Sequence, residues 1–111
     1  MKTLTIAALS LIALSGNASE IKDVKITKTM MSQSYGSVIF IKVDEAPSRG
    51  SGHCHTNHSW DYVIATESEF GKQMLSQILT AYAAQKTIAL KGNDLCTIVN
   101  GSEDLTRIEL Y

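Results

Sequence analysis

The densest run of ligand-type side chains in this chain is His53-Cys54-His55-Thr56-Asn57-His58. Imidazole and thiolate are donors that suit zinc or copper. On an extended backbone His53 and His55 point to the same side and can share one ion, with His58 as a further donor. A metal site is therefore one chemistry open to this loop. The competing chemistry consumes its centre. Cys54 and Cys96 are the chain's two cysteines, so a bridge between them has a single connectivity. Closing a loop of about 43 residues stabilises a fold by roughly 4 kcal/mol in the chain-entropy model. That is comparable with the whole stability of a small domain. A bridged Cys54 is lost as a ligand, and structural zinc sites usually draw on two separated ligand pairs. The expected role of Cys54 is thus the disulfide with Cys96. A metal site on His53, His55 and His58 is the alternative, and no cofactor is expected.

Two aromatic residues form the second candidate. Trp60 and Tyr62 alternate on an expected strand, so their rings share a face. Exposed, they make a stacking platform for a sugar or a base; turned inward, they are half of a core. Catalytic patterns are weaker. No serine lies in a nucleophile-elbow setting. The carboxylate pairs Asp44-Glu45, Glu67/Glu69 and Glu103-Asp104 fall near element ends and read as turn, cap and solvated-edge residues. The scattered glycines form no phosphate-cradling loop. The protein is expected not to be an enzyme.

These residues have to be positioned by a small exported domain. Lys2, the apolar run Leu4–Leu14 and the small residues Ser15-Gly16-Asn17-Ala18 read as a signal peptide cut after Ala18. An apolar run of about eleven residues is too short to span a bilayer. Residues 19–111 are then one domain, periplasmic or extracellular, which permits the disulfide. Without Lys2 the chain holds nine basic and eleven acidic residues, a formal charge of −2. With no basic run, nucleic acid is not an expected partner, and no membrane insertion is expected.

The elements follow from periodicity. Asp23–Gln33 alternates as a strand, Ser34-Tyr35-Gly36 turns, and Ser37–Asp44 is a second strand, apolar on both faces; together they read as a hairpin. Ala46–Ser59 is a long loop and Trp60–Ala65 a third strand. Thr66 with Glu69 reads as a capping box opening a helix to about Gln85. On that helix Phe70, Gly71, Met74, Leu75, Ile78, Leu79, Ala81 and Tyr82 form one apolar arc. The opposite face (Gln73, Ser76, Gln77, Thr80, Ala83, Ala84) is small and almost uncharged, which suits packing against a copy of the chain as a homo-oligomer. Strands at Lys86–Lys91 and Leu105–Leu110 follow, with a short one at Leu95–Val99 and a turn at Asn100-Gly101.

A single helix between strands three and four of a five- to six-stranded, partly open β-barrel is the OB-fold arrangement. The alternative is an open α+β sheet with one helix. Cys54, Trp60, the stretch Gly71-Lys72-Gln73-Met74-Leu75-Ser76 through Ala81, Gly92 and Cys96 resemble small exported bacterial proteins of uncharacterised function. More distantly, the strand order, the single helix and the disulfide resemble the OB-fold B subunits of subtilase-cytotoxin-type toxins, which bind glycans as pentamers. The resemblance covers about residues 54 to 96. It implies an OB-fold, and no sugar-site residue carries over, because the first hairpin matches no such signature. The functional expectation is a secreted, non-catalytic binding module for a glycan or protein ligand. The alternative is a periplasmic metal-binding protein using the His53–His58 loop.

Overall fold

A computed structural model describes residues 19–111. The signal-peptide reading concerns residues 1–18 and lies outside the described residues. The elements are β1 Glu20–Val24, β2 Ile26–Met30, β3 Val38–Val43, β4 Tyr62–Ala65, α1 Glu69–Ala84, β5 Ile88–Gly92 and β6 Leu105–Leu110.

The expected first strand divides in two. Asp23 adopts a positive φ of 60°, and the ladder shifts register between Ile21 and Val24. A bulge of this kind bends a strand and changes its partner. Val24 and Ile26 on either side of the break stay buried, at 1 % and 0 % exposure, so the alternation survives while the pairing switches. β1 pairs with β5 and β2 with β3, both antiparallel. The result is two three-stranded antiparallel sheets, β1-β5-β6 and β2-β3-β4. Among the described residues they meet through one isolated parallel bridge, from Val63 in β4 to Asp104 just before β6. Among the described residues no closed barrel forms, and two open sheets with one helix fit the α+β alternative.

The main core lies between the sheets and the helix. It gathers Val24, Ile26, Ile39, Ile41, Val43, Tyr62, Ile64, Met74, Ile78, Ala81, Ile88, Leu90 and Leu105. The second strand's two apolar faces are both used. Ile39, Ile41 and Val43 of β3 enter the main core. Val38 and Phe40 face the other way and join Val63, with Met30, Trp60, Ile98 and Val99 over them.

The helix begins later than expected. Ser68, not Thr66, is its N-cap: the Ser68 hydroxyl accepts from the Gly71 N–H at 2.9 Å. Thr66 continues the strand instead, donating its N–H to Ser37 O. Gly71 permits the close approach of helix to strand, because a Cβ there would collide with the Ala65 carbonyl. The buried stripe is Gly71, Met74, Ile78 and Ala81. It is narrower than the apolar arc. Phe70, Leu79 and Tyr82 are 52 %, 46 % and 37 % exposed, since two small sheets cover only the middle of that arc. The expected short strand at Leu95–Val99 does not form; residues 93–104 make a loop that closes on itself by the Val99–Ser102 bridge around Asn100-Gly101.

Candidate functional site

Two irregular segments, 44–61 and 93–104, meet at one end of the fold. The Cys54–Cys96 disulfide joins them, with Cα atoms 6.1 Å apart. Its role was legible from composition. The acidic residues that organise the rest of this end were not. Glu103 is fully buried and Asp104 is 5 % exposed, which corrects their reading as solvated-edge residues.

Glu103 is the hub. Its Oε1 accepts from Arg49 Nε at 2.6 Å and from the Ser19 hydroxyl at 2.6 Å, and its Oε2 accepts from the Asp94 N–H at 2.7 Å. Its backbone N–H donates to His55 Nδ1, and its carbonyl accepts from Val63 N–H. Gly92 makes room for it: a Cβ at that position would run into the Glu103 carboxylate. Arg49 also donates from Nη2 to Asp61 O at 2.6 Å and sits 5.1 Å over the Tyr62 ring. A buried carboxylate is tolerated only when paired and hydrogen-bonded, and Glu103 has both. Asp104 plays the simpler part. Its two oxygens accept from Thr97 N–H, Ile98 N–H, the Thr97 hydroxyl and Asn93 Nδ2, which shapes the loop carrying Cys96.

Tyr62 lies at 0 % exposure in the main core. The Ser19 hydroxyl gives its one proton to Glu103, so the Tyr62 hydroxyl is the donor to Ser19 Oγ at 2.9 Å. Burial pushes its phenol up to about 12. Trp60 occupies a different place. It precedes β4 at a bend where its N–H donates to Asn57 Oδ1, so strand alternation does not reach it. Its ring packs at 6.0 Å from Phe40, with Lys28 Nζ 4.5 Å from its centroid. Trp60 and Tyr62 therefore share no face, and the expected two-ring platform is not built. Two rings at the surface flank a buried one instead: Tyr35, half exposed, meets the buried Phe40 edge-on at 4.9 Å, and the partly exposed Trp60 packs on Phe40 from another side.

The three histidines separate. His53 Nε2 lies 2.9 Å from Asp94 Oδ1 and 3.6 Å from Glu103 Oε1. His55 is half-buried between Trp60 O and the Glu103 N–H. Since Nδ1 accepts, Nε2 carries the proton and donates to Trp60 O, leaving a neutral ring. Burial, aided by the Arg49 charge, lowers its pKa. His58 is exposed on the wall of a shallow cleft of about 240 Å³ shared with Lys42, Arg49, His55 and Asp61.

The shared three-histidine ion is thus not assembled. The side chains that do converge are His53, Asp94 and Glu103, whose donor atoms lie within 4.8 Å of one another. Their hydrogen bonds do not fit a metal. The His55 N–H donates to His53 Nδ1 at 2.9 Å, so the neutral ring's proton is on Nε2, the atom a metal would need. Beside Glu103 the guanidinium of Arg49 already supplies the countercharge. The cluster is organised to hold loops together. The Ser19 hydroxyl, in a residue 5 % exposed, is bonded to Glu103 rather than to a histidine.

Sequence reasoning missed Ser19, Arg49, Asp94 and Glu103. Each is a polar residue in a turn-rich segment, and their sequence separations run from 9 to 84 residues. Gly92 and the adjacent Glu103-Asp104 pair were the only local traces. No helix among the described residues is long and apolar enough to cross a membrane. No family model, curated protein or solved structure matches this chain.

Proposed function

We propose that this protein is an exported, non-catalytic binding module that takes a saccharide on the outer face of β2-β3-β4. The observation that carries the reading is the half-exposed ring of Tyr35 and the partly exposed ring of Trp60, both seated on the buried Phe40 and flanked by exposed Lys28 and Met31. Aromatic faces beside a cationic donor suit the apolar face and hydroxyl rim of a sugar. The pairing order supports the finer fold reading. A first strand broken across two sheets, strand pairs β2-β3, β3-β4, β1-β5 and β5-β6, and a parallel bridge from β4 to Asp104 just before β6 follow the connectivity of a partly open OB barrel. In that fold the face of strands two and three, with its adjoining loops, takes oligosaccharides and oligonucleotides. Here that face is β3 and β4 and carries these rings. The net negative charge favours the sugar.

A glycan array with the exported protein tests this. Tyr35→Ala, at an exposed position, should weaken a bound glycan about tenfold, the equivalent of about 1.4 kcal/mol. Phe70→Ala on the helix should leave binding unchanged. A silent array, or glycan binding indifferent to Tyr35→Ala and Trp60→Ala, would reject the saccharide reading. Zinc or copper binding tightly at one per chain and lost in His53→Ala would favour the metal alternative.

A further inference from the structure

Ser19 is the first residue after the Ser15-Gly16-Asn17-Ala18 cleavage signature, and it is buried at 5 % exposure. All its polar groups are engaged. Its nitrogen lies 3.2 Å from Asp94 Oδ1, its hydroxyl meets Glu103 and Tyr62, and its carbonyl accepts from Gly92 N–H at 2.9 Å. Among the described residues the charges around it do not balance. Asp94 and Glu103 contribute two carboxylates, the Asp94 backbone N–H donating to Glu103 Oε2, and Arg49 contributes one guanidinium. His53, neutral with its proton on Nε2, donates to Asp94 without adding charge. Asp61 and Asp104 nearby have their own partners, Lys42 for the first and the Thr97–Ile98 backbone for the second.

We propose that the Ala18–Ser19 bond is the processing site and that the new α-ammonium of Ser19 is the missing cation, docked on Asp94 to complete the Glu103 cluster. A leader peptidase adds one water across the peptide bond, leaving a carboxylate on Ala18 and an amine on Ser19. At neutral pH the amine takes up a proton. An amide with one N–H thus becomes an ammonium with three donors beside the Asp94 carboxylate, while the hydroxyl of the same residue holds Glu103. Removal of the leader is therefore a step in completing this end of the fold, not only a release.

The whole chain is expressed with its leader and the exported protein recovered. Its intact mass should place the first residue at Ser19; any other first residue overturns the proposal. The recovered protein is then compared with a chain beginning at Ala18, released from a cleavable fusion. The added residue keeps every side chain and removes the ammonium from Asp94. The extended chain should melt about 4 °C lower at pH 7, the shift that about 1 kcal/mol produces in a domain of this size. The gap should vanish in Asp94→Asn, and should close above about pH 9, where an α-amine loses its charge. The groups facing it are Asp94, Glu103, Tyr62, His53 and, across Glu103, Arg49. Equal melting of the two chains at pH 7, or a gap unchanged in Asp94→Asn, would overturn the ammonium's role.

Discussion

The two ends of this molecule are held together by different physics. At the helix end, α1 lies on the sheets through Met74, Ile78 and Ala81, a short-period apolar stripe backed by Ile26, Ile64 and Ile88. At the loop end, residues 44–61 and 93–104 have little regular structure and are held by one disulfide and a buried carboxylate with its ring of donors. The helix end gains stability roughly in proportion to buried area and leaves spare apolar surface at Phe70, Leu79 and Tyr82. The loop end is satisfied contact by contact: among the described residues no buried side-chain polar atom lacks a partner. Deletions at the first should be graded. At the second they should be abrupt, because a lost partner strands a charge.

The largest effect expected is loss of the disulfide. Cys54→Ser with Cys96→Ser should lower unfolding stability by about 4 kcal/mol, measured by urea denaturation. A change under about 1 kcal/mol would mean that the polar contacts alone hold the two loops. Next comes Glu103→Ala, which leaves Arg49 largely buried without its carboxylate. The cost should be about 3 kcal/mol or more, and Arg49→Met added to it should recover part of the loss. If Glu103→Ala costs no more than a surface change, the contrast between the two ends fails.

Ile78→Ala probes the helix end directly. Ile78 is fully buried, and its truncation should cost about 2 to 4 kcal/mol, with no change in the reactivity of the loop residues. His55 and Tyr62 give the loop end a pH signature. The folded pKa of His55 lies below its ordinary value, so the unfolded chain binds the proton more readily. Its contribution is full above about pH 6.5 and is lost as pH falls below that, toward the folded value. Tyr62 has the opposite sign: its folded value of about 12 makes stability fall as pH rises above the ordinary 10. Melting curves of His55→Gln should lose acid sensitivity, and those of Tyr62→Phe should lose the alkaline limb. The helix end should contribute neither.

The smallest effect on the monomer is expected from Ser76→Glu with Thr80→Glu, both exposed on α1. Stability should move by under about 0.5 kcal/mol. The face they occupy, with Leu79, Tyr82 and Ala83 beside it, is proposed to pack against a second copy, and light scattering at about 100 μM should show the wild type as an oligomer that the double change disperses. A monomeric wild type would leave the spare apolar surface simply solvated.

What could be read from residues alone follows one rule: contacts that repeat along the chain announce themselves. The nearly continuous apolar run of Val38 to Val43, the apolar positions of α1 and the turn at Asn100-Gly101 are local patterns, and each led to the right kind of element. The cysteine pair was legible for another reason, since two cysteines admit one bridge. The break at Lys25, the choice of Ser68 over Thr66 as cap, and the separation of Trp60 from Tyr62 were settled by pairing across sheets, where a one-residue shift reverses which face a side chain takes. Only the tertiary structure made Glu103 the hub, because its partners Ser19, Arg49 and Asp94 come from three distant segments and none is periodic. Whether a carboxylate lies in water or in a core depends on donors that folding brings to it, and no spacing along the chain records that.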